Sequence, residues 1–284
     1  MTAALGLPLA LALGIVADAV AGLSARLAGG ERRWWRGITD RWGELRRLMG
    51  AGRAGERASV LEALAAGGSM LGAGIASAAA VGTVPGTLAL IYLGLLAAAA
   101  GGHLLAAAIG KGDEEGPGAA ASRLRAVLVE PAFVVALGAS FLRWGAVDLD
   151  SVRGTQEVLG PGIGLGPGSA LAGLVLGTLV LAVAGALRTA LAPSGGPAGR
   201  AFLAATARWA AWGATAAVAG ALLGGPGTGS ATDILVMLGT ATGAAVVLGV
   251  VAGLTERASR RVRRIGLVGM VLAAAGGALL VALA

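Results

Sequence analysis

The chain has no cysteine, and its 284 residues include one histidine and one tyrosine. Without thiols it can form neither a disulfide nor a thiolate-bound metal cluster. One histidine and no cysteine leave no nucleophile–base constellation for covalent catalysis. No His/Asp/Glu spacing on one helix face reads as a metal site. Charge is also scarce: 13% of residues are charged, against 56% hydrophobic. With a mean hydropathy of +0.82, this is not the composition of a soluble domain.

The abundant feature is long apolar sequence. Eight stretches reach the roughly 20 residues that carry a helix across the hydrocarbon core: 3–23, 60–83, 86–110, 124–147, 168–190, 201–224, 232–254 and 265–284. They are continuous rather than alternating, which excludes a transmembrane β-barrel. The expectation is an all-α integral membrane protein, one multispan domain of about eight helices. The first stretch lacks a basic flank ahead of it and is followed by a basic segment, so it is expected to be a retained anchor.

Basic residues are distributed by side. Nine arginines lie between Arg26 and Arg57, and Lys111, Arg123 and Arg125 follow the third stretch. Arg188 and Arg200 follow the fifth, and five more lie between Arg257 and Arg264. The remaining connections carry only Arg153. The positive-inside rule then places both termini outside and the basic loops in the cytoplasm. The net charge of +7 is a topology signal on this reading, not a nucleic-acid footprint.

Two connections are long. The first, 24–59, mixes arginine with Trp34, Trp35 and Trp42, and its Glu44–Met49 part is expected to form a short interfacial helix. The second, 148–167, holds a Gly/Pro-rich run without the Lys-Ser/Thr of a phosphate loop, and reads as a flexible external connection. The 51 glycines predict close helix packing, as in Gly68-x-x-x-Gly72.

Ionisable groups inside lipid are costly and therefore candidate functional residues. With the orientation above, Asp18, Glu62, His103, Glu130, Arg188 and Arg208 all fall in the cytoplasmic half, while Arg143 stands alone near the other face. They are expected to line a polar cavity open to the cytoplasm, with Glu130 facing Arg208 at matching depth. The alternative is separate buried groups, each satisfied locally or snorkelling to water. His103 is expected to be a packed helix residue rather than a ligand. Pro131, directly after Glu130, removes one helical hydrogen bond there.

Several motifs resemble the family of the first membrane subunit (subunit 1) of NADH–quinone oxidoreductase, together with its counterpart in group 4 NiFe hydrogenases and formate hydrogenlyase. They are Ala25-Arg26-Leu27-Ala28-Gly29, Arg32-Arg33, and Trp42-Gly43-Glu44-Leu45-Arg46-Arg47-Leu48, then Ala121-Ser122-Arg123, Glu130-Pro131-Ala132-Phe133, and Glu256 before the last basic loop. The resemblance implies a membrane-anchor subunit without catalytic residues, in a prokaryotic cell membrane beside antiporter-like subunits. It implies a docking loop for soluble redox subunits, carried by Arg26, Arg32, Arg33, Trp34, Trp35, Trp42, Glu44 and Arg47. Iron–sulfur clusters, and nickel–iron where present, would belong to those partners, and quinone is a candidate ligand of the assembly. Two family features are missing. Trp34-Trp35 replaces a Gly-Pro, and no acidic residue occurs between Glu157 and Asp233. A proton path would then rest on Glu130, Asp18 and Glu62. A stand-alone carrier for a proton or small anion is the alternative function, and a structural membrane scaffold the third.

Overall fold

The computed structural model describes residues 5–33, 35–51, 60–109, 133–142, 144–159, 198–224 and 231–257, together with 272, 275 and 276. Regular structure among them is helical: α1 (Gly6–Ala28), α2 (Arg36–Ala51), α3 (Val60–Ala80), α4 (Leu88–Ile109), α5 (Phe133–Leu142), α6 (Leu149–Leu159), α7 (Ala198–Gly224) and α8 (Ala231–Arg257). Three helices are long and apolar enough to cross a membrane, over Gly6–Ala28, Glu62–Ala80 and Ala231–Thr255. The described residues thus have the character of a membrane protein. The stretches expected at 168–190 and 265–284 lie almost wholly outside them, as do Glu130, Pro131, Arg143 and Arg188.

Packing follows from small residues. A methyl group on Gly14 of α1 would overlap the Trp209 carbonyl of α7, and one on Gly213 would overlap Ala10. These two contacts make α1 and α7 antiparallel at near backbone-to-backbone distance. Gly249 and Gly253 of α8 meet Ala17 and Ala21 of α1 in the same order, so that pair is parallel. Gly220 and Gly224 set α7 antiparallel to α8, and Gly72, Gly94 and Gly101 do the same for α3 and α4. Gly68 has open space around it, so the expected Gly68–Gly72 packing pair is used only at Gly72.

α7 is the axis of the bundle. Every residue from Trp209 to Leu222 is buried, against α1, α3, α4 and α8. It is 27 residues long but is not among the three apolar spans, because Arg208, Trp209, Trp212 and its glycines lower its mean hydropathy. A helix surrounded by other helices need not be soluble in lipid, which explains how so polar a helix occupies the centre. The lipid-like surface falls instead on α3 and α8, through Leu64, Leu71, Leu235, Leu238 and Leu254.

The ends of the helices are closed locally. α1, α3 and α5 each stop at a glycine with positive φ, Gly30, Gly82 and Gly145. In each case the next residue donates its N–H to the carbonyl five positions back: Glu31 to Arg26, Thr83 to Ala78 and Ala146 to Phe141. That left-handed cap suits a residue without Cβ. The connection expected to be flexible over 148–167 begins as a helix instead, namely α6. Thr87 and Asp148 pair in a short antiparallel bridge, with Leu88 donating to Val147 and Leu149 to Gly86. Both also cap helices: the Asp148 carboxylate accepts the Ser151 N–H at 2.6 Å, and Thr87 Oγ1 accepts that of Leu90 at 3.3 Å. Leu149 and Val152 are then buried on one face.

Two expected outcomes test this packing. Gly213→Ala should destabilise the chain by about 1–3 kcal/mol through overpacking, whereas Gly243→Ala, in open space, should not. Thermal melting of the detergent-purified protein reads both. The Ser151 backbone and hydroxyl hold the Asp148 carboxyl below its ordinary value of 3.8. Its contribution to stability is therefore complete above that value and lost as pH falls through the lowered one. Melts recorded below about pH 4 should show a smaller acid-induced loss in Asp148→Asn than in the unaltered chain.

Candidate functional site

Asp18 lies on the α1 face that meets α7, one turn beyond the Gly14 contact. Only 6% of its surface is exposed. Arg208 of α7 reaches it, with Nη2 donating to Oδ1 at 3.1 Å. The guanidinium carbon lies 5.4 Å from the centroid of Trp212, one turn along α7, within cation–π range. Arg208 keeps 22% of its side chain exposed, but its Nε is buried and has no hydrogen-bond partner among the described residues. The same holds for Trp209 Nε1. This is a charge pair between two crossing helices, stacked on an aromatic ring.

The neighbouring elements close around the same level. Ser69 of α3 donates to the Ala98 carbonyl of α4 at 2.7 Å, and its hydroxyl lies 3.4 Å from the Ala207 carbonyl of α7. Ala65, Ala66 and Ala207 are buried together beside it. Four helices, α1, α3, α4 and α7, therefore converge near Arg208. Glu62, in the first turn of α3, is also buried, at 2% exposure, where the positive end of the helix dipole favours a carboxylate. His103 lies on α4, but its side chain is outside the described set, as are Glu130 and Arg188. The partner shown for Arg208 is thus Asp18. Its expected pairing with Glu130 lies outside the described residues. Depth along the helices fits either acid. The Arg208-x-x-x-Trp212 spacing, one helical turn between a cation and an indole, is the signal in the sequence that points to this site and that depth alone does not use.

A second constellation holds α2 against α1. Arg26 forms ion pairs with Glu31, at 2.8 Å, and with Asp40. Gly37 of α2 packs directly on the Gly22 carbonyl of α1. The helix runs over Arg36–Ala51, well beyond the expected Glu44–Met49 segment, because this glycine contact and the Asp40 ion pair fix its first turns. Arg26, expected in the docking set, is spent on these internal pairs. Arg32, Arg33, Trp35, Arg36 and Trp42 are exposed. Trp34 and the side chains of Glu44 and Arg47 lie outside the described set. No group of three His, Asp or Glu side chains among the described residues is placed to hold a metal ion.

No family model matches the chain. No curated protein matches it either. What the chain does is therefore argued from its own geometry.

Removing one partner of the Asp18–Arg208 pair leaves the other charge buried, which costs about 3–5 kcal/mol in comparable settings. Asp18→Leu and Arg208→Leu should each lower the melting temperature. The double replacement should lose less than their sum, and a double-mutant cycle measures that coupling.

Proposed function

We propose that the chain is a multispan membrane-anchor subunit of a complex-I-like or group-4-hydrogenase-like oxidoreductase. About eight helices cross a prokaryotic cell membrane with both termini outside. The parallel and antiparallel pairings of α1, α3, α4, α7 and α8 agree with that alternation. The α1–α2 turn then faces the cytoplasm, and the observation that carries the reading is its rigidity. Arg26 with Glu31 and Asp40, the Gly30 cap and the Gly22–Gly37 contact hold Arg32, Arg33 and Arg36 outward. A fixed cationic turn at the end of a membrane helix suits an acidic docking edge on a soluble redox subunit.

Any iron–sulfur or nickel–iron centre would sit in that partner, since this chain has no cysteine. Asp18, Arg208 and Glu62 supply buried ionisable groups in the cytoplasmic half, and with Glu130, His103 and Arg188 they are the candidates for proton movement. Quinone and antiporter-like subunits belong to the same proposal through the family resemblance.

The second reading is a stand-alone carrier for a proton or small anion. The buried donors Arg208 Nε and Trp209 Nε1, without a hydrogen-bond partner among the described residues, favour it. Gentle detergent purification with identification of co-purifying chains and metal analysis separates the two. Iron- or nickel-bearing partners, lost on Arg32→Glu/Arg33→Glu, are expected for the anchor. A lone chain that moves protons or anions in liposomes, and stops on Arg208→Gln, would replace it with the carrier.

A further inference from the structure

The face of α2 that turns away from α1 carries a second surface, whose Trp35 and Trp42 the family resemblance counts with the docking loop. At about 100° per residue, Trp35, Thr39, Trp42 and Arg46 follow one another at helical spacing and form a single stripe. All four are exposed, Trp35 at 51% and Trp42 at 46%. Gly37 and Asp40, which hold α2 to α1, lie roughly 160° round the helix from the centre of that stripe. The stripe therefore turns away from the contact with α1, and its make-up is aromatic and cationic.

Depth identifies what covers it. Gly37 touches Gly22, six residues before the end of α1, so α2 starts about 9 Å back along that helix. If α1 spans the bilayer, that level is the boundary between acyl chains and headgroups. Amphipathic interfacial helices settle about 5–10 Å into that boundary. Tryptophan is favoured there because an apolar ring and an N–H donor meet both environments. An arginine in line with two such rings presents a fork of donors to phosphate oxygens.

We propose that the Trp35–Trp42–Arg46 stripe is a binding surface for anionic phospholipid headgroups of the cytoplasmic leaflet. The indole rings lie at the acyl boundary, and Arg46 takes the phosphate. Anionic lipid is selected over zwitterionic lipid because neither Thr39 nor the indoles supply a negative charge to balance a choline or ethanolamine group. The stripe begins beside the Arg32–Arg33–Arg36 turn and runs along α2 to Arg46, and the proposal does not depend on a redox partner.

The test uses the full chain reconstituted in phosphatidylcholine vesicles. Brominated phosphatidylglycerol or brominated phosphatidylcholine is included at equal mole fraction. The Trp42 signal is the fluorescence difference between the chain and Trp42→Phe. Stronger quenching by the anionic lipid is expected, reflecting an enrichment of about five-fold for one arginine near an anionic headgroup. The preference should shrink in high salt, vanish in Arg46→Glu and persist in Arg46→Lys. The salt arm needs no variant, so a misfolded replacement does not rescue the idea. Equal quenching by the two lipids would overturn it. So would absence of quenching by either, the result expected if a protein partner covers the stripe.

Discussion

The approach of α1 to α7 governs the rest of the bundle. Two glycines, Gly14 and Gly213, allow backbone to lie on backbone. In lipid there is no hydrophobic drive to bring helices together, so dispersion contact at this distance takes its place. The same approach brings Asp18 and Arg208 within hydrogen-bonding reach. It also surrounds α7 so closely that every residue from Trp209 to Leu222 is buried. Charge pairing and the close seat of α7 on α1 thus depend on two absent side chains, and the parallel seat of α8 on α1 depends on two more, at Gly249 and Gly253.

Much of this architecture was legible in the sequence. The apolar stretches coincide with α1, α3, α4, α7 and α8 within a few residues, and three of these five are long and apolar enough to cross a membrane. α6 was not legible in the same way because its evidence is tertiary as well as local. The cap of Asp148 on Ser151 is short, and the bridge to Thr87 joins residues far apart in sequence. α2 came out longer than expected for a similar reason. Its N-terminal turns are fixed by Gly22 and Arg26 of another helix, information that a hydropathy pattern does not hold.

The site was legible as a set of residues but not as pairs. Orientation and rise per residue predict one membrane half for Asp18, Glu62 and Arg208; the structure buries Asp18 and Glu62 and pairs Asp18 with Arg208. Which acid meets Arg208 depends on rotation about the helix axis, which depth does not specify. Arg26 shows the same limit on the surface. As sequence it was one more docking arginine, yet two carboxylates in its own loop take up its donors. Exposure, which separates Arg32 and Arg33 from it, is a property of the fold.

The polarity of α7 also bears on how the bundle is assembled. A helix with an arginine near its start and two tryptophans beside it gains little by entering lipid alone, since a mid-membrane arginine costs about 2.5 kcal/mol or more. Its counter-charge is made 190 residues earlier in the chain. α1 precedes α7 in the chain, so Asp18 and Gly14 are made before the segment that meets them. In the finished fold the ion pair gives this segment's arginine a partner inside protein. In chain order α1, α3 and α4 come before α7, and α8 follows it, so the axis lies between helices made before it and one made after.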